Sequence, residues 1–191
     1  MTEQRFRNFS CILYEDSVVP DFVRIIDSWH VPCFLSPYHC LDKAEDGSTK
    51  KPHWHLLYMS EGKKSVDQMR ALFSSIGGVG LEVVQSIRGA ARYLCHIDNP
   101  EKAQYSSALV KCFAGADYSD IITSEADRAE ALKKIIAYVD DHNIKYYHQL
   151  LNSLIADGEK DLYRLSCFSC NAPVNQYIRS KAERLKNMEG R

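Results

Sequence analysis

The sequence predicts an α+β chain: a ferredoxin-like antiparallel sheet with helices on one face, followed by a small all-α domain. Two observations carry this reading. Residues 7–84 alternate in the order strand, helix, strand, strand, helix, strand, the split-βαβ arrangement that leaves one sheet face available for a site. From Ser124 onward the texture changes to helix formers with wide apolar faces. With 191 residues, the chain has room for one domain and a small second one.

Each element has its own signal. Residues 7–14, Arg-Asn-Phe-Ser-Cys-Ile-Leu-Tyr, are β-branched and aromatic enough for a buried strand, broken off by Asp16 to Pro20. Asp21 can cap a helix whose Phe22, Ile25, Ile26 and Trp29 share one face. Val31 to Leu35 reads as a second strand ended by Ser36-Pro37, and Asp42 to Thr49 as a polar hairpin-like loop. His53 to Met59 is the third strand. Ser65-Val66-Asp67-Gln68 matches a capping box, opening a helix through Met69, Leu72, Phe73 and Ile76. Gly77-Gly78-Val79-Gly80 stops that helix, Leu81 to Val84 is the fourth strand, and a short helix should run from Ser86 to about Cys95. Beyond it, 125–142, 147–156 and 174–188 are three further helices. The expected domains are 1–120 and 121–191, the second able to bury its apolar faces against another protomer or by packing back onto the first domain.

Composition narrows the setting. No run of about 18 apolar residues is present, and Met1-Thr2-Glu3-Gln4-Arg5 lacks a signal-peptide pattern, so a cytoplasmic protein with no membrane partner is expected. Seven cysteines without a regular framework read as reduced thiols. The formal charge of −1 argues against a polyanion binder, but it conceals a split. Residues 1–113 are neutral, 114–165 carry −4 and 166–191 carry +3. Within the first segment, Lys50, Lys51, Lys63 and Lys64 stand against Glu61 alone over residues 50–64, a local strip suited to a phosphate backbone.

The chemistry concentrates in three short motifs. His53 and His55 are two apart in a strand, so both imidazoles point to the same face. If residues 33–39 pair with 53–59, His39 and Asp42 of Ser36-Pro37-Tyr38-His39-Cys40-Leu41-Asp42 come close to them. Three imidazoles and one carboxylate suit a borderline or fairly hard divalent ion with positions left for oxygen ligands. Arg92-Tyr93-Leu94-Cys95-His96 supplies a nucleophile, Tyr93, on the helix after the fourth strand. A phenol ordinarily ionises near pH 10 and needs help before it attacks.

This combination resembles the HUH endonuclease pattern, and more narrowly the rolling-circle replication initiators of small bacterial plasmids. A Ser-Pro-x-His segment, a Lys-x-His-x-His strand and a Tyr-Leu-x-His segment stand in the family's order, and Asp98 to Tyr105 resembles the stretch after the tyrosine. The resemblance implies a nicking and origin-binding domain followed by an oligomerisation domain, with a manganese- or magnesium-dependent reaction on DNA. It implies His39, Asp42, His53 and His55 as metal ligands and Tyr93 as the nucleophile that leaves a 5′-phosphotyrosyl link and a 3′-hydroxyl primer. Cys40-Leu41 depart from the acidic stretch that some relatives have after the first histidine. Tyr105 is the second-choice nucleophile, placed in a loop beyond Pro100.

The implied partners are origin DNA, as duplex repeats and a single-stranded hairpin loop, other copies of the chain and the host replication machinery. Lys50, Lys51, Lys63, Lys64, Arg88 and Arg92 are the candidate backbone contacts. Relaxases and transposases share this chemistry, and a DNA-binding repressor or RNA-binding ferredoxin-like module with incidental histidines is the non-enzymatic alternative. Against these, the chain has no helicase-sized extension and carries an extra helical region after residue 124.

Overall fold

Hydrophobic alternation in the first strand decides the layering of the N-terminal region. In a computed structural model, which describes residues 4–44 and 46–189, β1 (Arg5–Tyr14) places Phe9, Cys11 and Leu13 on one face, all fully buried. Ser10 and Ile12 therefore face the other way. β1 pairs antiparallel with β3 (His53–Ser65), setting Ser10 opposite Leu57, Ile12 opposite His55 and Tyr14 opposite His53. With β2 (Cys33–Leu35), β4 (Gly78–Val83) and β5 (Lys111–Phe113), the sheet order is β4-β1-β3-β2-β5, every pair antiparallel. Strands 4-1-3-2 are the expected ferredoxin-like order, and β5 adds a fifth at the β2 edge.

The two crossover helices, α1 (Phe22–Ser28) and α2 (Val66–Ser74), cover one face, where Ile26, Met69 and Phe73 close over Phe9, Leu13, Leu56 and Tyr58. Each such side chain contributes roughly 1.5 to 3 kcal/mol by leaving water. On the other face, α3 (Ile87–Tyr93) and α4 (Tyr118–Ile122) bury Ala91, Leu94 and Tyr118 against Phe34, Leu57 and Met59. The Tyr118 hydroxyl donates to the Ala91 carbonyl across 2.9 Å, tying α4 to α3. The part of this face over β1 and β4 stays open.

Several boundaries differ from the sequence reading for local reasons. The capping box opens α2 as expected, with Gln68 N–H donating to Ser65 Oγ and Ser65 N–H to Gln68 Oε1. Asp21, in contrast, sits at φ 58° and makes no side-chain cap; its carbonyl accepts from Arg24 and Ile25 and starts the helix instead. The fourth strand begins at Gly78 because this glycine is packed as well as flexible: a Cβ there would stand 3.0 Å from Cys11 Sγ and from the Phe73 carbonyl oxygen. β3 runs on to Ser65 because Lys64 and Ser65 find partners in Phe6 and Arg5.

The chain divides into two compact units, residues 1–122 and 123–191. The second unit is built from α5 (Glu125–Asp141), α6 (Tyr147–Ala156), α7 (Lys160–Cys167) and α8 (Asn171–Glu189). Its core is Ile135, Val139, Ile144, Leu150, Leu154, Val174 and Ile178. The sequence reading missed α7, a two-turn helix rich in charge and flanked by Gly158 and Ser169. No described helix is long and apolar enough to cross a membrane.

Candidate metal and nucleophile site

The backbone brings the first two motifs together before any side chain is considered. β2 pairs with β3 through Cys33–Tyr58, Phe34–Leu57 and Leu35–Leu56, and the pairing resumes where His39 and His53 exchange both backbone hydrogen bonds, at 2.8 and 3.2 Å. Between these points Ser36 is locked to His55. Its N–H donates to the His55 carbonyl at 2.9 Å, and its hydroxyl accepts the His55 N–H at 2.8 Å. The Ser-Pro turn thus holds His39 against the strand that carries His53 and His55.

Ligand nitrogens of His39, His53 and His55 lie within 4.8 Å of one another. The hydrogen bonds around them select which nitrogen is free. His53 Nδ1 lies 2.8 Å from the Lys51 carbonyl and donates to it, leaving Nε2 with its lone pair; that atom faces His55 Nε2 at 3.1 Å. His39 Nε2 donates to the Leu94 carbonyl at 2.9 Å, so Nδ1 is the lone-pair atom, and it is buried without a hydrogen-bond partner. Burial holds His39 below the ordinary imidazole value and, with His39, His53 and His96 nearby, brings His55 down to about 3. Neutral imidazoles with converging free nitrogens are what a divalent cation requires.

Asp42 stands on the other side of His39. Its Oδ2 is 3.3 Å from His39 Nδ1 and its Oδ1 3.8 Å from His96 Nδ1, and these three residues form a second group able to hold an ion. His39 is common to both groups. The carboxyl of Asp42 is held below its usual range: burial opposes this, but the Tyr105 hydroxyl and the histidines outweigh it. Of the four expected ligands, the structure brings the three histidines into one cluster and places Asp42 beside it through His39.

Tyr93 ends α3, and its ring stands edge-on to His55 at 5.6 Å and to His96 at 5.0 Å. It is 38% exposed, so its phenol is open to a substrate. Lys102 donates to the phenolic oxygen at 3.0 Å and lies 4.5 Å over the ring. Sequence reasoning missed Lys102, nine residues downstream. It quoted His96 without giving it a part, although the Tyr-Leu-x-His spacing marked it. His96, at φ 56° and fully buried, reverses the chain after α3, and its Nδ1 bonds the Ala103 carbonyl at 2.8 Å.

Tyr105 packs against the histidine cluster from the Asp42 side. Its ring stacks on His39 at 4.2 Å and 2°, its hydroxyl donates to Asp42 Oδ1 at 2.9 Å, and the same hydroxyl oxygen accepts the Leu41 N–H at 3.0 Å. Burial, with the Asp42 carboxylate beside it, pushes its phenol up to about 12.

The candidate DNA contacts separate. Lys50 lines a cleft of about 80 Å³ with Lys43, Lys102, Tyr93 and Asp42. Lys51 pairs with Asp16 at 2.6 Å and lies over the Tyr14 ring. Lys63 and Lys64 sit ten and eleven residues along β3 from His53, roughly 30 Å away at strand rise, and do not join the site. Arg88 is exposed on α3. The Arg92 guanidinium is bidentate to Asp98 at 2.7 and 2.8 Å and also donates to the Ile122 carbonyl at 2.7 Å, which fastens the segment after Tyr93.

Residues 1–119 match the family described as plasmid replication protein, origin binding domain. A replication protein of Staphylococcus aureus is 27% identical over 177 residues, covering 92% of this chain and 89% of that protein. The replication protein RepB of Lactiplantibacillus plantarum is 33% identical over 144 residues, covering 75% of this chain and 65% of its own length. Because the family match spans the whole sheet, the three histidines and Tyr93, the chain belongs to the plasmid replication proteins that carry an origin-binding domain.

Proposed function

We propose that this chain initiates rolling-circle replication by nicking one strand at the plasmid origin, with Tyr93 as nucleophile and a divalent metal ion as cofactor. The observation that carries the reading is the convergence of His39, His53 and His55 with the exposed phenol of Tyr93 5.6 Å, ring to ring, from His55. Their free nitrogens fit a manganese or magnesium ion, imidazole favouring manganese, with Asp42 completing the set from the His39 side. When bound, such an ion supplies Lewis-acid polarisation and a template for one phosphate.

The chain's own residues then do the following. The oxygen of Tyr93 attacks phosphorus in line and forms a 5′-phosphotyrosyl bond while the bond to the 3′ oxygen breaks. That oxygen departs as the hydroxyl that primes synthesis. Reversal, with a 3′-hydroxyl attacking and the phenolic oxygen leaving, rejoins the strand. Lys102 offsets charge on the phenolic oxygen in both directions. Lys43 and Lys50, which share its cleft, steady the adjacent backbone. Membership in a plasmid replication family favours an initiator over a relaxase or transposase with the same chemistry. The reaction takes place in the cytoplasm, where the plasmid is. The helical unit, with Ile155 and Phe168 exposed, serves self-association, and light scattering showing a monomer at all concentrations would remove that part.

The test is to incubate the chain with a supercoiled plasmid bearing its origin and Mn²⁺, then look for nicked circles and protein-bound DNA. Tyr93→Phe should abolish both and leave origin binding intact. Neither product with any divalent ion would overturn the nicking reading.

A further inference from the structure

The open part of the sheet face beside Tyr93 is a groove of about 490 Å³ between β1, β4 and α3. It exists because small residues meet across it. Ser10 and Gly80 form its floor and Gly89 and Ala90 its wall, where larger side chains would fill the space. Gly80 sits at φ 62°, and a Cβ there would stand 3.7 Å from Ile12 Cδ1, narrowing the floor further. His55 and Tyr93 form the end of the groove nearest the site.

Charge separates this groove from the neighbouring cleft. No lysine or arginine is among the described residues that line it, and it holds one carboxylate, Glu82. In the cleft on the other side of Tyr93, Lys43, Lys50 and Lys102 outnumber the carboxylates of Asp42 and Glu101. A strand crossing the site would be repelled at its phosphates by Glu82 and drawn by them to the lysines, while a base, flat and uncharged, fits the apolar groove. Apolar Ile12, Val84 and Ala90 supply stacking surface, and Glu82 offers an acceptor to an exocyclic amine, which adenine, cytosine and guanine carry and thymine lacks.

We propose that this groove takes one unstacked base of the substrate strand, next to the phosphate at Tyr93, and that Glu82 favours a base with an exocyclic amine over thymine there. The inference rests on the nicking reading for the identity of the strand, and it adds a base-reading pocket to it. Phosphates fix the strand through the lysine cleft; the groove reads one position.

The experiment measures Kd by fluorescence anisotropy for the full chain on a short single-stranded origin oligonucleotide, in chelator so that no cleavage intervenes. Abasic sites are scanned one at a time, and Ser10→Tyr, a substitution suited to a strand, fills the floor. One abasic position should weaken binding about tenfold. Ser10→Tyr should weaken the intact strand by a similar factor and lose nothing more on that abasic strand. Glu82→Gln, at an exposed position that leaves the fold intact, should reduce the preference for a base with an exocyclic amine over thymine at the same position. Losses that multiply instead of overlapping, or a Ser10→Tyr chain that binds every strand within twofold of the unaltered one, would overturn the proposal. Because binding is read without metal, a chain that never nicks can still pass, and a chain that nicks can still fail.

Discussion

The ammonium of Lys102 donates to the phenolic oxygen of Tyr93 across 3.0 Å and lies 4.5 Å above the centre of the same ring. One cation therefore both positions the proposed nucleophile and faces the atom on which charge would change in the proposed reaction. Lys102→Met should lower the cleavage rate about 100-fold, the usual effect of removing one preorganised donor, with DNA affinity within twofold. Lys102→Arg should recover part of the loss, since the charge returns with a different shape. Single-turnover nicking beside anisotropy checks both, and rejoining from the covalent adduct should fall with cleavage.

Tyr105 separates buttress from nucleophile. Tyr105→Phe keeps the ring stacked on His39 but removes the hydroxyl from Asp42 and from the Leu41 N–H. Nicking should persist at saturating Mn²⁺, with the Mn²⁺ concentration for half-maximal rate raised about tenfold, as for other outer-sphere partners of metal ligands. Loss of all nicking at every Mn²⁺ concentration would return Tyr105 to the nucleophile's place.

The metal set itself can be read without DNA. An ion that binds only the folded chain stabilises it by about 2.7 kcal/mol at 100 times its Kd. Thermal melting in excess Mn²⁺ should therefore rise by several degrees, and EDTA should reverse the shift. His53→Ala should abolish it, because His53 Nε2 and His55 Nε2 face each other at 3.1 Å and one alone closes no site. An equal shift in His53→Ala would place the ion in the other group, His39, Asp42 and His96.

What could be read from the sequence divides by the range of the interaction. The shared face of His53 and His55 follows from strand alternation, and the approach of His39 from antiparallel pairing of residues 33–39 with 53–59, so both were legible. The Ser65 capping box is likewise local. Lys102 was not legible: it returns to Tyr93 only because His96 takes a left-handed conformation and Gln104 ties the turn through the His96, Asn99 and Lys102 carbonyls. β5 is three residues long and has meaning only against β2, with Phe34 opposite Cys112. The charge of Arg92 is displayed by the sequence, but its bidentate pairing with Asp98 is not, because that depends on the turn after α3.

Gly77 is the hinge on which α2 turns into β4, and it has two separate constraints. Its φ is 82°, and a Cβ there would lie 2.0 Å from the Ser17 carbonyl oxygen and 2.9 Å from Val18 Cα, both backbone atoms that cannot swing away. Gly115 has a similar φ of 74°, but nothing lies within 4 Å of where its Cβ would stand. Gly115→Ala should therefore cost only the left-handed conformation, about 1 kcal/mol. Gly77→Ala adds displacement of the β1–α1 turn, whose Val19 N–H donates to the Ile76 carbonyl at 3.4 Å, and should cost about 3 kcal/mol or more. Urea denaturation of the two variants checks this directly, since the difference between them isolates the collision from the backbone preference. Equal midpoints would mean that the Ser17–Val18 turn yields freely and does not hold β4 in register beside β1.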